Sequence, residues 1–549
     1  MNQPFLPAYI YRLSFLLLGV VYLIGLFVPL MDNDSAHHAN IALRMFLTGD
    51  YVNLVDEEKE YLDKPHLHFW LSAASYHIFG VTAFAYKFPS FLFTILGTYS
   101  TYRLGRTLYN TETGRLAALI VASAFAYILA NNDVRMDAIL TAGVIFATWQ
   151  LVDWIKNQKA INAIGGALGL AIGFCTKGHI AVFVPCVGIL FYLLYSGDWK
   201  KILHWQTLLV IFAFFFFIAP VVYCYYLQFD LHPEKLIRGK TGRSGVMFIL
   251  WDQNFERFQG ESFGGTNKND KVFFLHSFLW AFAPWSIIAY AAFFSRLKSF
   301  INRKWEWLTI GSFITVLLVI SLSGFKLPHY LNIIFPVAAV MTASYLLHNQ
   351  DNKKLIRNLL VTQVIITVLC LLLAAAINVW AFPIENIICI IGFFVLLTAV
   401  VFMLRKLVSS FQKLIAVSVV CSVVSFYLMN SNFYPQLLTY QGGNTLAEKT
   451  KGKVNRENIY FWPFTYSPSF QFYTSTIEQP FSDSLLRNGT GPLWIVTEKK
   501  FLADFQKAGY PQLEVIAERD YPVGVLTGKF INPATRASVL DSMHLIRIR

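Results

Sequence analysis

Long apolar runs separated by short polar connections make up most of the chain. Runs such as residues 13–30, 207–227 and 359–382 each reach the roughly 20 residues that an α-helix needs to cross a bilayer. Residues 1–430 therefore predict a polytopic α-helical membrane domain of about thirteen transmembrane helices. The predicted spans are residues 11–30, 84–104, 115–131, 137–155, 161–176, 179–196, 205–228, 272–295, 307–323, 330–347, 358–380, 384–404 and 412–430.

The loops between these spans are of two kinds that alternate along the chain. Short basic loops such as "GDWKK" and "DNKKLIR" are typical of the cytoplasmic side, which predicts a cytoplasmic N-terminus. Loops with acids, aromatics, glycines and histidines alternate with them and belong to the opposite, periplasmic side. Two of these, 31–83 and 229–271, exceed ordinary connection lengths, which favours a functional role. The inner membrane of a cell is the expected location.

Residues 431–549 have a different pattern, with apolar runs that are too short to span a bilayer. The runs "PLWIVTE", "LEVIAERD" and "VGVLTGKFI" predict buried strands, and "EKKFLADFQKAGY" predicts a polar helix. This segment therefore predicts a small soluble α/β domain. An odd number of spans places it on the periplasmic side.

Composition supports the membrane assignment and argues against a nucleic-acid-binding protein. The chain is 56% hydrophobic and 14% charged, against about 25% charged residues in soluble proteins. Its net charge of +13 comes with basic residues clustered in short loops, so the positive-inside rule explains it and no nucleic-acid partner is expected. The six cysteines lie in apolar segments without metal-ligand spacing or a disulfide framework.

Polar residues that could act in catalysis or binding are concentrated in the predicted periplasmic loops. Asp34 follows the first span and opens an amphipathic pattern that predicts a helix along the membrane surface. Its carboxylate fits either an N-cap or a general base at the mouth of the helix bundle. In "YLDKP", Pro65 predicts the first turn of a helix, with Asp63 near its cap. Lys64 fits either a phosphate ligand beside that helix start or a lysine that extends to water.

Four further segments carry ionisable groups at span ends on the same predicted side. Such groups in membrane proteins are usually functional, although each alone also fits an interfacial charge. The glycines near 264–265 indicate a mobile section, and arginine at 257 suits bidentate phosphate binding. The four segments are "NNDVRMDAIL" with Asp133, Arg135 and Asp137, "CTKGHI" with Lys177, "WDQNFERFQGESFGG" with Glu256 and Arg257, and "SGFKLPHYL" with Lys326 and Tyr330.

In order and spacing, these motifs resemble the GT-C class of lipid-linked-sugar glycosyltransferases, namely the aminoarabinose transferases and protein O-mannosyltransferases. The resemblance covers roughly residues 30–430 and is specific only when the motifs are taken together. The matching elements are Asp34 at the catalytic aspartate position, "YLDKP", "MDAIL" at Asp137, "TKG" at Lys177, "ERF" at Glu256 to Phe258 and "KLPHY" at Lys326 to Tyr330.

The resemblance implies an inverting transfer of a sugar from a polyprenyl-phosphate donor to a lipid A-like lipid or to another envelope glycan or protein. It implies Asp34 and Asp137 as catalytic residues. Other pocket residues are expected at Asp63, His37, Lys177 and Glu256. The donor phosphate would be held by Lys64, Arg257, Lys326, Tyr330 and Tyr61. A monomer is expected.

Two departures from the resembled pattern concern a metal ion and the residues after Asp34. Some relatives hold a metal with a glutamate and a histidine, and here those positions are Asp63 and Asn254. This pair suits zinc poorly but fits a hard divalent cation, so metal use stays open. His37 and His38 stand where relatives often carry arginine and tyrosine, so a charge near the donor would depend on pH.

Two functions of other classes also fit a polytopic membrane protein. A transporter or flippase of lipid-linked intermediates usually shows inverted repeats and polar groups near mid-membrane. This chain shows no clear repeat and places its ionisable groups at span ends. An assembly protein that recruits a partner through the C-terminal domain leaves the charged corners unexplained. The sequence therefore favours the glycosyltransferase.

Overall fold

The computed structural model describes residues 6–32, 34–56, 59–253, 270–477, 479–488 and 491–549. It is a helical bundle followed by a small C-terminal domain with a four-stranded sheet, so the predicted fold class is confirmed. The helices of the first half are α1 (Ala8–Leu26), α2 (Asp34–Thr48), α3 (Leu67–Phe79), α4 (Ala83–Leu108), α5 (Thr111–Ala122), α6 (Phe125–Asn132), α7 (Asp137–Asn157), α8 (Ala160–Lys177), α9 (Ile180–Ser196), α10 (Trp199–Ile202), α11 (Gln206–Tyr225) and α12 (Gly245–Met247).

The second half of the bundle continues with apolar helices that are joined by shorter connections. A 3₁₀ segment over Pro328–Ile334 leads into one of these helices and carries the "PHY" residues. The helices are α13 (Phe273–Ala281), α14 (Ser286–Lys298), α15 (Leu308–Leu322), α16 (Phe335–His348), α17 (Lys353–Ala375), α18 (Ile387–Arg405) and α19 (Ser410–Leu428).

Eight helices within the described residues are long and apolar enough to cross a bilayer, or nine when the bent pair α5 and α6 is counted as one span. The predicted span at 272–295 is divided into α13 and α14, and α15 has 15 residues. The chain is therefore a multi-pass membrane protein, and the count of thirteen crossings stays a prediction. The last apolar helical path runs Ser410–Tyr440, past the predicted domain boundary at residue 430.

The C-terminal domain is built on one mixed sheet. Its order is β3-β4-β6-β5, with β3 and β4 parallel and the other neighbours antiparallel. A separate hairpin pairs β1 (Val55–Asp56) with β2 (Lys59–Glu60) in the first long loop. The C-terminal elements are α20 (Tyr434–Leu437), α21 (Gly442–Thr450), β3 (Ile459–Phe461), α22 (Pro468–Thr474), α23 (Ser484–Asn488), β4 (Trp494–Glu498), α24 (Leu502–Lys507), β5 (Glu514–Asp520), α25 (Gly528–Ile531), α26 (Pro533–Arg536) and β6 (Asp541–Arg547).

Two local predictions are wrong. The run at 523–531 is not a strand, because the Thr527 side chain accepts a hydrogen bond from the Phe530 amide and starts the short helix α25 instead. Pro65 is not in the first turn of a helix, since α3 begins at Leu67 after its cap residue His66. The surface helix expected after Asp34 is α2, whose apolar side is buried against α3 and α22.

Candidate active site

One cavity of about 500 Å³ lies where several of the predicted periplasmic segments meet. The ends of α2, α7, α8, α9 and α15 contribute to it, together with the segment before α3 and the 3₁₀ segment. Its polar lining residues are Asp34, His38, Asp63, Lys64, Arg135, Asp137, Lys177, His179, Ser323, His329 and Tyr330. Its apolar lining residues are Leu140, Ile180, Phe183, Val319, Ile320, Phe325, Leu327 and Ile333.

Asp34 is the first residue of α2, and its side chain is 46% exposed. The Arg135 guanidinium lies 3.2 Å from one Asp34 carboxylate oxygen and also pairs with Asp133 at 2.7 Å. Burial raises the pKa of Asp133, and Arg135 opposes that rise. Burial alone would lower the pKa of Arg135, but Asp133 and Asp34 outweigh it and raise that pKa. Arg135 is therefore a permanent cation that fixes the Asp34 carboxylate.

The backbone between Arg135 and the next acid is in an unusual conformation. Met136 has φ of +74° and is fully buried, although it is not a glycine. A left-handed backbone at a long side chain costs about 1–3 kcal/mol and persists only where its surroundings hold it. Here it ends the turn after α6 and starts α7 at Asp137, which directs Arg135 and Asp137 to the same cavity.

Asp137 and Lys177 form a second ion pair, at 2.9 Å, with side chains only 4% and 9% exposed. Lys177 is the last residue of α8, where its charge also suits the helix C-terminus. Its ammonium lies 5.1 Å from the centre of the Tyr330 ring, within cation–π range. His329 lies 4.0 Å from the other Asp137 oxygen. Three distant segments thus meet around Asp137.

The "DKP" segment lines the same cavity through Asp63 and Lys64. Asp63 and Lys64 are paired side chain to side chain, and both are largely buried. The Gln253 side chain donates hydrogen bonds to the backbone carbonyls of Leu62 and Asp63 at 2.9 and 3.1 Å. The loop that carries Gln253 therefore fixes the path of the chain just before Lys64.

Of the two histidines after Asp34, the structure places His38 at the cavity and His37, the predicted pocket residue, outside its lining. His37 is not among the cavity-lining residues, because its ring pairs with Asp56 of β1 at 2.7 Å. His38 lies one helical turn after Asp34 and lines the cavity in its place. Its Nε2 hydrogen-bonds the Tyr61 hydroxyl at 3.1 Å, so Tyr61 reaches the site through His38. Burial lowers the pKa of His38 well below its usual value, which makes the imidazole neutral.

Lys326 also departs from its predicted place. It is buried and donates a hydrogen bond to the Asp270 carbonyl at 2.8 Å, whereas its neighbours Phe325 and Leu327 line the cavity. The predicted residues Glu256 and Arg257 and the predicted metal ligand Asn254 lie outside the described residues. Within the described part of the chain no group of three or more His, Cys, Asp or Glu residues is arranged to hold a metal ion. Metal binding through Asp63 and Asn254 stays a prediction.

Sequence reasoning named both histidines near the donor but selected His37 instead of His38 as the pocket residue, and it left Arg135 without a role. The four-residue spacing from Asp34 was a signal for His38, because residues i and i+4 share one helix face. The Met136 backbone, which directs Arg135 inward, has no signature in the sequence.

The fold is similar to that of solved membrane transferases. Crystallised ArnT from Cupriavidus metallidurans bound to undecaprenyl phosphate superposes with a TM-score of 0.72 at 17% identity, over 92% of this chain and 96% of that one. The apo oligosaccharyltransferase of Archaeoglobus fulgidus gives a TM-score of 0.52 at 11% identity, over 89% of this chain and 70% of that chain. The expected GT-C resemblance is confirmed by this likeness of fold.

Sequence comparisons lead to the same group of proteins. Residues 63–224 match the family model described as dolichyl-phosphate-mannose-protein mannosyltransferase. The chain is 25% identical over 346 residues to an undecaprenyl phosphate-alpha-4-amino-4-deoxy-L-arabinose arabinosyl transferase of Pseudomonas aeruginosa, covering 59% of this chain and 57% of that relative. The arabinosyl transferase 2 of Proteus mirabilis, with the same undecaprenyl phosphate-aminoarabinose description, is 22% identical, over 61% of this chain and 59% of its own length. The matched region thus spans less than two thirds of these relatives.

Proposed function

We propose that the protein is an inverting glycosyltransferase that moves a sugar from a polyprenyl-phosphate donor to a hydroxyl or phosphate group of an envelope acceptor. The observation that carries this proposal is the convergence of Asp34, Lys64, Arg135, Asp137 and Lys177 on one cavity. These residues come from four separate segments at the ends of apolar helices. The names of the similar transferases support the donor class, and a lipid A-like lipid is the favoured acceptor.

The cavity has the two surfaces that such a donor needs. One is formed by the lining cations Lys64, Arg135 and Lys177, which suit a phosphate group. The other is an apolar wall between α9, α15 and the 3₁₀ segment, formed in part by Phe183 and Ile320, where a polyprenyl chain would lie. Because the cavity is at helix ends, the phosphate lies near the membrane surface while its lipid tail stays among apolar side chains.

The reaction is a single displacement at the anomeric carbon of the sugar. The acceptor oxygen forms a new bond to that carbon as the bond to the phosphate oxygen breaks, and the electron pair leaves with the polyprenyl phosphate. The acceptor proton passes to the Asp34 carboxylate, which Arg135 orients. Lys64 and Lys177 stabilise the charge that accumulates on the phosphate. Attack on the face opposite the leaving group inverts the anomeric centre.

The remaining parts of the proposal concern the neighbouring residues and the setting. His38 and Tyr61 shape the pocket beside Lys64, and Tyr330 does so beside Lys177. Arg257 and Lys326 remain proposed phosphate ligands, and Lys326 has to leave the Asp270 carbonyl to reach a ligand. The enzyme acts as a monomer, with the cavity facing the periplasm and the N-terminus in the cytoplasm.

A transfer assay tests this function. The purified protein in lipid nanodiscs receives an undecaprenyl-phosphate sugar and a lipid A acceptor, and mass spectrometry follows the acceptor mass. We expect the acceptor to gain one sugar mass with the wild type. The Asp34→Asn variant should bind the donor normally and lose at least about 100-fold in transfer, the usual contribution of a general base. Donor movement across the bilayer of proteoliposomes, with no gain of sugar mass in the transfer assay, would overturn the proposal in favour of a flippase.

A further inference from the structure

The corner between α1 and α2, described over residues 30–32 and 34–36, carries Asp34 and is in contact with the C-terminal domain. α2 packs on α22 of that domain and on α3. Within the corner, the Ala36 amide donates a hydrogen bond to the Met31 carbonyl at 2.9 Å. Other polar backbone groups of the corner bond to side chains from residues 441–473, far along the chain.

Gln441, at the start of the C-terminal domain, is the central contact. Its side-chain oxygen accepts a hydrogen bond from the Asp32 amide at 2.9 Å. Its side-chain nitrogen donates to the Leu30 carbonyl at 2.9 Å and to the Asn444 side chain at 2.8 Å. Gln441 is 1% exposed. One buried amide therefore holds the backbone on both sides of Met31, just before Asp34.

Helix α22 holds the same corner from a second direction. The Tyr473 hydroxyl accepts a hydrogen bond from the Leu30 amide at 2.8 Å, and the Ser469 amide donates to the Asp32 carboxylate at 2.6 Å. Further along α2, the Asn40 side chain donates to the Pro468 carbonyl and to the Gln471 side chain, both at 2.8 Å. The C-terminal domain thus contacts the chain on both sides of Asp34 in sequence.

The position of the Asp34 carboxylate depends on this backbone. Its side chain is nearly half exposed at the cavity, so the direction of the first turn of α2 determines where the carboxylate lies. In catalysis, a misplacement of about 1 Å lowers the rate roughly 100-fold. A domain that sets this backbone acts on the reaction without contacting the substrate.

We propose that Gln441 is a positioning residue and that the C-terminal domain serves to hold the Asp34 corner in its reactive geometry. The inference rests on the proposed glycosyltransferase function for its kinetic consequence. Its structural content, that the domain orders residues 30–36, stands independently of any activity.

The test compares two glutamine-to-methionine variants that keep side-chain length and remove the amide. Gln441→Met breaks the hold on the corner. The matched control is Gln436→Met, because Gln436 donates to the Pro383 carbonyl at 2.7 Å and to Asn432 at 2.8 Å, away from the corner. Hydrogen exchange of a peptide over residues 29–36 and steady-state transfer kinetics are measured for the full-length protein in nanodiscs.

We expect Gln441→Met to raise exchange in residues 30–36 by at least about tenfold, since an opened hydrogen bond exposes its amide. Its kcat should fall about tenfold or more, while the donor KM stays within about twofold, because the donor contacts are unchanged. Gln436→Met should change neither quantity. Unchanged exchange in Gln441→Met, or equal losses in both variants, would overturn the inference.

The two readouts separate this inference from the function on which it rests. If the wild type transfers no sugar, the proposed function fails, and the exchange comparison still decides whether Gln441 orders the corner. If the wild type is active and exchange rises in Gln441→Met without any change in kcat, the positioning role is wrong although the glycosyltransferase stands.

Discussion

At the scale of single residues, the cavity is a set of charges that neutralise one another before any substrate binds. Arg135 pairs with Asp34, Lys177 with Asp137 and Lys64 with Asp63. A phosphate that enters must compete with these carboxylates for the cations. Phosphate binding would therefore rearrange existing ion pairs, because none of these cations lacks a carboxylate partner.

Two replacements of Arg135 distinguish its role in orienting the Asp34 carboxylate from the effect of its positive charge. Arg135→Gln should lower transfer by about tenfold or more, because Asp34 loses the partner that fixes its carboxylate. Arg135→Lys keeps the charge but not the fork that reaches Asp34 and Asp133 together, so we expect partial activity. Transfer assays on both variants measure this, and full activity of Arg135→Gln would contradict the role.

The Asp137–Lys177 pair allows a stability test with a matched rescue. Lys177→Met leaves the Asp137 carboxylate buried and unpaired, which should cost about 3–5 kcal/mol in the free energy of unfolding. The double variant Lys177→Met with Asp137→Leu removes both charges and should recover most of that loss without recovering transfer. Thermal melting in detergent and the transfer assay give the two readouts. A double variant that is as unstable as the single one would contradict the account.

At the scale of elements, the sequence identifies helices well and their junctions poorly. The apolar runs predict α1, α7, α8, α17, α18 and α19, because length and hydropathy alone determine a spanning helix. Breaks between helices are harder to predict from sequence, because they depend on tertiary packing. Examples are the interruption between α13 and α14 and the turn at Met136. In the C-terminal domain, β4 and β5 follow their apolar runs, whereas the three-residue β3 and the seven-residue β6 were not predicted.

For the candidate site residues too, the sequence predicts which segments reach the site better than it predicts where each side chain points. Asp34, Asp63, Lys64, Asp137, Lys177 and Tyr330 lie on motifs at helix ends, and all six line the cavity. Their spacing along the chain predicted a common side of the membrane. Lys326 shares that motif context but is directed to the Asp270 carbonyl, a distinction that depends on a side-chain rotamer which sequence does not encode. Their catalytic and binding roles stay predictions.

Helix α1 offers a paired test of how closely the elements pack. A methyl group at Gly25 would lie 2.2 Å from the Asn132 side-chain oxygen, beside the hydrogen bond that joins Asn132 to Asn430 at 2.6 Å. Gly25→Ala should therefore destabilise the protein by about 1–3 kcal/mol through overpacking. In the same helix, a methyl group at Gly19 meets nothing within 4 Å, so Gly19→Ala is the control. Melting temperatures compare the two, and equal values would contradict the packing argument.

At the scale of the whole molecule, the bundle and the C-terminal domain meet at a partly buried carboxylate, that of Asp32. Burial raises the pKa of Asp32 to about 6, although hydrogen bonds from Ser469 lower it, and the nearby Asp520 raises it further. The native state therefore prefers the protonated form. The Asp32 contribution is most favourable at acidic pH and is lost as the pH rises from about 4 to about 6.

The Asp32→Asn variant isolates this contribution from the other titrating groups. Relative to the wild type, its stability should be similar near pH 4 and should rise by up to about 3 kcal/mol by pH 7, because the wild type alone carries the ionised carboxylate. Urea or thermal unfolding of both proteins across this pH range measures the difference. A difference that does not change with pH would show that Asp32 titrates as it does in the unfolded chain.

The central claim is that the cavity holds the phosphate of a polyprenyl lipid, and a structure of the protein with undecaprenyl phosphate tests it most directly. We predict the phosphate within about 3 Å of the Lys64 ammonium, the usual hydrogen-bond distance. Its chain should follow the apolar wall past Phe183 and Ile320. A lipid bound elsewhere, with this cavity empty, would contradict the account.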